Sequence, residues 1–208
     1  MNNAQLINQD SGDYEYYSPI EIVDAAREVM GGIDLDPASS KIANKTVGAT
    51  RIYTLEAQIE QVGVWELPAL IAMEGGLDYA WYGDVWMNHP FGRSETACKE
   101  GCVKEICRKR GYHTLIKIPR NKEWIQHAVN EHKEKRSRQL TCITYASTSE
   151  DWFFPLTEYP QCFLRPRTNY YRPDGTKKKG VSKGSVVTYM GNNKDLFRKT
   201  FEGFGWFR

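Results

Sequence analysis

The sequence predicts an α/β fold with a mostly parallel sheet and a small Cys-rich insertion. Three observations predict it. Short apolar runs alternate with helix-period segments through the first two-thirds of the chain. One such run ends in the polar-Pro-aromatic-Gly turn Asn88-His89-Pro90-Phe91-Gly92, the kind of strand exit where open α/β sheets put their sites. The last strands come without long helices between them, which suits antiparallel pairing at one edge.

Residues 1–13 are polar and read as a flexible N-terminal arm. They lack the apolar stretch of a signal peptide. After the aromatic segment from Tyr14, Ser18 is expected to cap a helix with Pro19 at its first position and Glu21 three residues after the cap. Ile20, Val23, Ala26 and Arg27 follow at helical spacing, and Gly31-Gly32 stops the helix. Residues 33–36 read as a strand cut off by Pro37, with a second helix over residues 38–43. Residues 51–54 read as a short strand, and residues 55–80 as loop with some helix.

Residues 81–84 turn into a strand at residues 85–87, and residues 114–118 form another. Residues 122–132 are an amphipathic helix with Trp124, Ile125, Ala128 and Val129 inward. Residues 131–138 read as a charged surface turn. Residues 140–145 are a strand, residues 147–150 cap a helix starting at Asp151, and residues 161–164 are a strand. A basic loop covers residues 165–183, a strand residues 186–190, and a final helix starts at Asp195.

The chain has 208 residues, 40 % hydrophobic and 26 % charged, which fits one globular domain over residues 14–208. No apolar run approaches membrane-spanning length, so no membrane association is expected. The formal net charge is only +2, so a nucleic-acid surface must come from local clustering. Oligomeric state is not legible in the sequence.

The Asn88-His89-Pro90-Phe91 tetrapeptide carries the chemistry. An exocyclic amine of a nucleobase is a poor nucleophile because its lone pair is delocalised into the ring. Two carbonyl acceptors on its N–H hydrogens hold the nitrogen nearer tetrahedral, with the lone pair free for an incoming electrophile. Asn88 supplies a side-chain acceptor, and the His89 carbonyl, stiffened by Pro90, a second. Phe91 offers a face for a base flipped out of its stack. Alone, the motif equally describes an ordinary turn after a buried strand.

Further segments accompany it in order: Tyr16-Tyr17-Ser18-Pro19, then Asp34-Leu35-Asp36-Pro37-Ala38-Ser39, then Thr50-Arg51-Ile52-Tyr53-Thr54, then residues 81–92 around the tetrapeptide. Together they cover most of residues 14–165 and resemble the phage-type DNA N6-adenine methyltransferase (Dam-like) family. The resemblance implies a Rossmann-like class I methyltransferase fold, S-adenosylmethionine as donor, and methyl transfer to the N6 amine of adenine in DNA. It implies a phage protein in a bacterial cytoplasm, acting in or against restriction-modification.

The family's Asn-Pro-Pro-Tyr motif falls on Asn88, His89, Pro90 and Phe91. His89 replaces the first Pro and Phe91 the Tyr. Tyr17, Ser18, Pro19, Asp34, Asp36, Pro37 and Ser39 fall where the family binds cofactor. The usual Gly-x-Gly is absent, with Ser39, Ser40 and Asn44 in that stretch instead.

Three of the five Cys lie between positions 98 and 107. Cys98, Cys102, Cys107 and His113 offer three thiolates and an imidazole, a set that suits structural zinc in a knuckle over residues 93–113. A buried helix face with unliganded Cys is the competing reading. Cys142 and Cys162 lie in apolar strands and read as core.

Arg165, Arg167 and Arg172 lead into Lys177, Lys178, Lys179 and Lys183, and Arg120 and Lys122 follow a strand end. These are candidate DNA phosphate contacts. Two alternatives compete with the adenine reading. One is a catalytically inactive zinc-containing DNA-binding protein on a methyltransferase scaffold. The other is the same chemistry on N4 of cytosine, or on RNA.

Overall fold

The computed structural model describes residues 16–61, 67–172, 174–177 and 183–208. The arm expected at residues 1–13, and Lys178 and Lys179 of the basic stretch, lie outside them.

A seven-stranded sheet forms the centre. Its order is β10-β8-β9-β7-β5-β1-β2, where β1 is Leu35–Ser39, β2 Arg51–Thr54, β5 Gly83–Met87 and β7 Ser137–Tyr145. These four pair in parallel. β8 (Gln161–Leu164), β9 (Ser185–Met190) and β10 (Gly205–Phe207) pair antiparallel, so β9 and β10 oppose the other five. The α/β class, the mostly parallel sheet and the antiparallel edge agree with the sequence.

Two layers of helix cover the sheet. Helix α1 (Ile20–Met30) turns Ile22, Val23, Ala26 and Val29 onto one face, against Trp86, Ile143 and Val187. Helix α5 (Lys194–Phe201) joins it there through Phe197 and Phe201. On the other face, helix α4 (Asn121–Lys133) packs Trp124, Ile125, Ala128 and Val129 against Val85, Met87, Leu140 and Cys142, the inward set the helical spacing gave. The period-2 alternation of β5 splits its side chains between the two cores, with Trp86 on one face and Val85 and Met87 on the other.

Several elements differ from the sequence reading. Ser18 does not cap α1. Pro19 occupies the cap position, its carbonyl accepts from the Ile22 and Val23 amides, and Ser18 Oγ is buried with no hydrogen-bond partner among the described residues. The helix does end as expected, at left-handed Gly31 (φ 81°). β1 runs through Pro37, because its pairing with β2 slips between Asp36 and Ser39 and no ladder bond is needed from the missing N–H. The expected helix over residues 38–43 is therefore strand and turn, and the short helix α2 is Asn44–Val47. The Asn44 amide staples that turn, donating to the Ala49 carbonyl and accepting from the Ala49 N–H.

Residues 55–80 hold no helix among those described. They carry β3 (Glu56–Glu60) and β4 (Ala69–Glu74), an antiparallel pair to which the two-residue β6 (His113–Thr114) adds in parallel. The strand expected over residues 114–118 is thus reduced to β6 and a bridge between Glu95 and Ile118. The short helix α3, Glu105–Arg110, lies in the Cys-rich segment. The helix expected from Asp151 is a turn and one 3-10 stretch, Phe154–Glu158, with Pro155 at its start.

Glu131 is not on a surface turn. It is buried and accepts from the Trp81 amide at 3.0 Å and from Arg136 Nε and Nη2, each at 2.7 Å. No helix among the described residues is long and apolar enough to cross a membrane.

Candidate functional site

The sheet order reverses at β1, which has β2 on one side and β5 on the other. At such a switch point the loops leaving the carboxyl ends of neighbouring strands part and open a crevice. A cavity of about 640 Å³ opens there, large enough for a cofactor-sized molecule. Its lining includes the end of β1, the 88–92 turn after β5, the aromatic segment at residues 16–18, the ends of β2 and β7, helix α2, and β4 with the segment at residues 116–120.

Asn88 sits at the exit of β5. Its Nδ2 donates to the Tyr16 carbonyl at 2.8 Å. A carbonyl only accepts, so this bond fixes which end of the amide faces Tyr16 and leaves Oδ1 as the acceptor for a ligand. His89 is buried, and its Nε2 lies 2.9 Å from Asn121 Oδ1 at the start of α4. Burial pushes the His89 pKa down to about 4, against the smaller upward pull of Asn121, so the ring is neutral near pH 7. A neutral ring donates through Nε2–H to Asn121 and ties the 88–92 turn to α4. Phe91 packs edge-on to His89 and lies 4.4 Å, centroid to centroid, from Tyr145 at the end of β7. All four residues of the tetrapeptide line the cavity, Pro90 included.

Asp36 lines the same cavity from β1 and is buried. Burial raises its pKa to about 7, despite hydrogen bonds from Ser39 and the Ala38 amide. Pro37, Ser39, Tyr17 and Ser18 line the cavity beside it. The Tyr17 hydroxyl lies 3.2 Å from Ser40 Oγ. Two other expected cofactor residues are elsewhere. Asp34 precedes β1, at the opposite end of the strand, where its Oδ2 accepts from the Asp84 amide and Arg138 approaches it. Pro19 starts α1 and does not line the cavity.

Leu70 of β4, with Tyr112, Ile116 and Ile118 from the segments flanking β6, closes the cavity. A Cβ on Gly76 would fall 2.0 Å from the Pro37 carbonyl oxygen, so the turn after β4 sits directly on the end of β1. Glu123 holds the return segment to α4. It pairs with Lys117, accepts from Ser94 Oγ and takes the Arg120 amide at 3.1 Å. Burial raises its carboxyl, but those three contacts outweigh burial and bring the pKa down to about 2.

Cys98, Cys102, Cys107 and His113 converge behind this wall, with one ligand atom of each within 4.8 Å of all the others. The four together can hold a metal ion. None of the three cysteines forms a disulfide. Gly101, left-handed at φ 72°, makes the turn between the first two.

The chain matches no family model, no curated protein and no solved structure.

Of the expected DNA contacts, Arg120 lines the cavity, whereas Lys122, Arg165, Arg167 and Arg172 do not. Lys122, Arg165 and Arg167 are exposed, and Arg172 is half-buried. After β8 the chain is anchored at Tyr171, whose backbone exchanges two hydrogen bonds with Tyr17, and at Tyr170, whose hydroxyl meets Ser185 Oγ at 2.8 Å. Lys183, just before β9, stands 5.0 Å over the Tyr145 ring at the cavity's aromatic wall. Sequence reasoning placed nothing from residues 55–80 in the site, yet Leu70 and the 74–78 turn line it. The sequence signal that could have found it is the Gly75-Gly76 pair, since glycine marks places where another backbone comes close.

Proposed function

We propose that the chain is an S-adenosylmethionine-dependent DNA methyltransferase with a Rossmann-like class I fold, acting on the exocyclic N6 amine of adenine. The observation that carries this reading is the Asn88 amide, oriented by Tyr16 and facing a strand-end cavity beside a buried acid and an aromatic wall.

The residues present fit the cofactor. Asp36 and Ser18 Oγ are buried polar groups at the cavity: a carboxyl that burial raises to a pKa of about 7, and a hydroxyl with no hydrogen-bond partner among the described residues. A cationic, zwitterionic ligand answers both. Asp36, Ser39, Tyr17 and Ser18 would hold it. Bound there, S-adenosylmethionine supplies an electrophilic methyl group on a sulfonium.

The chain's own residues supply position. Asn88 Oδ1 and the His89 carbonyl accept the two hydrogens of the target amine, which turns its lone pair out of the ring plane. Phe91 and Tyr145 offer faces against which the extruded base stacks. His89, neutral and bonded to Asn121, stiffens the turn and takes no proton. Solvent removes the proton from the methylated amine. Arg120 at the cavity, and Lys122, Lys183, Arg165, Arg167 and Arg172 outside it, would supply positive charge for the phosphates of flanking DNA.

The Cys98, Cys102, Cys107 and His113 set fits zinc in a structural role, since four protein ligands leave no open position for chemistry. A methyltransferase acting on DNA within a bacterial cell, as a phage restriction-modification enzyme would, needs no membrane segment.

The acceptor pair suits N4 of cytosine equally well, and nucleoside analysis separates the two products. Ser39 and Ser40 at the cofactor turn, in place of glycine, favour a second reading: a catalytically silent DNA-binding protein on this scaffold. Calorimetry against S-adenosylmethionine distinguishes it, because that protein would give no heat. Transfer of labelled methyl to DNA by the wild type, lost in Asn88→Ala with cofactor binding retained, is the expected result for the enzyme. Undiminished transfer by the variant would refute the mechanism.

A further inference from the structure

We propose that a thiophilic divalent ion held by Cys98, Cys102, Cys107 and His113 builds one wall of the ligand cavity, so that metal loading governs whether the cavity binds. What the cavity takes rests on the methyltransferase reading. The metal site and its effect on the wall do not.

The geometry of the cluster is that of a liganded tetrahedron. With metal–sulfur bonds of about 2.3 Å, tetrahedral thiolates stand about 3.8 Å apart. Cys98 Sγ and Cys107 Sγ are 3.6 Å apart, and Cys102 Sγ and Cys107 Sγ 3.8 Å. A disulfide needs about 2.05 Å, so neither pair is bonded. On binding, the three thiols release their protons to solvent and His113 binds as the neutral ring.

The cluster fastens three pieces of backbone. Cys98 donates its amide to the Thr114 carbonyl at 2.6 Å. His113 belongs to β6, and its amide reaches the Pro68 carbonyl next to β4 at 2.8 Å. Cys107 lies on α3 and is fully buried.

The described strand that carries His113, β6, is two residues long. Among the described residues, the apolar cluster at this lobe buries Leu70 and Tyr112, with Ile116 and Ile118 packed against them. A structural metal cross-links short segments of this kind and adds to what burial supplies. Those same four residues line the cavity. The face that the metal holds in place is therefore the face that meets the ligand.

The test uses the full chain, stripped with a chelator under reducing conditions. Titration with cobalt(II) is expected to give tetrahedral d–d absorption and a thiolate charge-transfer band that saturate at one equivalent. Absent or octahedral spectra would overturn the site. Hydrogen exchange is then compared between the metal-free and zinc-loaded chains. Removal is expected to speed exchange in residues 69–74 and 112–118 and leave β5 and β7 protected. Unchanged exchange in the first two segments would overturn control of the wall.

S-adenosylmethionine and a DNA duplex are titrated into both forms, with a loss of roughly tenfold or more in affinity expected on stripping. Equal affinity in both forms would overturn the coupling. If the loaded chain bound neither probe, the methyltransferase reading would fail, while the cobalt and exchange results would still decide the metal's role. Cys107→Ser, compared in the same exchange experiment, should reproduce the metal-free pattern even with zinc present.

Discussion

Replacing Asp36 by Asn removes a charge that the fold tolerates poorly. The carboxyl is buried, and its pKa rises from 3.8 to about 7. Below pH 3.8 it is protonated in both folded and unfolded chains and has no effect on stability. As pH rises, the unfolded chain loses the proton first, so stability falls until the folded-state pKa is passed. Each pKa unit is worth about 1.4 kcal/mol, so the full penalty above pH 7 is about 4 kcal/mol, of which roughly 2–3 kcal/mol develops between pH 5 and pH 8.

Asn has the same shape and keeps an acceptor for the Ala38 amide, 3.2 Å away. Asp36→Asn should therefore raise the melting temperature at pH 8 by about 8–15 °C, from roughly 2–4 °C per kcal/mol for a chain of this size. The gain should shrink steadily towards pH 5. Circular dichroism melts of both proteins across that range make the measurement. The variant should also lose affinity for S-adenosylmethionine, because the ionised carboxylate is what a cationic ligand recognises. A variant equally or less stable than wild type at pH 8, with no pH-dependent gap, would refute the argument that Asp36 is a desolvated, ligand-seeking acid.

Further outcomes follow from other contacts. Glu131→Gln weakens the bonds from Arg136 and the Trp81 amide and should destabilise the chain by about 2 kcal/mol, read by urea denaturation. Gly76→Ala places a methyl group against the Pro37 carbonyl and should weaken cofactor binding by calorimetry, with the far-ultraviolet spectrum kept. Phe91→Ala removes a stacking face worth about 1–3 kcal/mol, so KM for DNA should rise by roughly 5- to 150-fold in steady-state assays. His89, with a pKa of about 4, should show no protonation above pH 5 in its ring NMR signals, and the rate between pH 6 and pH 9 should carry no histidine step.

The sequence carried the central sheet because its strands are apolar runs bounded by turn residues, and α4 because Trp124, Ile125, Ala128 and Val129 fall on one helical face. The 88–91 turn was legible as a strand exit because polar, Pro and aromatic residues follow an apolar run, and the fold brings all four to the cavity. What could not be read was decided by tertiary pairing. Pro37 argued for a break, yet a register slip removes the need for its N–H. Residues 56–60 and 69–74 show no clean alternation and became strands through pairing with each other and, for the second, with a two-residue partner about forty positions on. Asp34 and Asp36 look alike two residues apart, and position along β1 alone makes one a structural acceptor and the other a cavity acid. The Cys and His spacing suggested a cluster, but only the fold brings the four ligand atoms within 4.8 Å.

The most direct measurement is mass spectrometry of nucleosides from unmethylated DNA incubated with the protein and S-adenosylmethionine. The proposed function predicts N6-methyladenine from the wild type, and the geometry around Asn88 predicts no methylated nucleoside from Asn88→Ala. No methylated nucleoside from the wild type, or equal product from the variant, would contradict it.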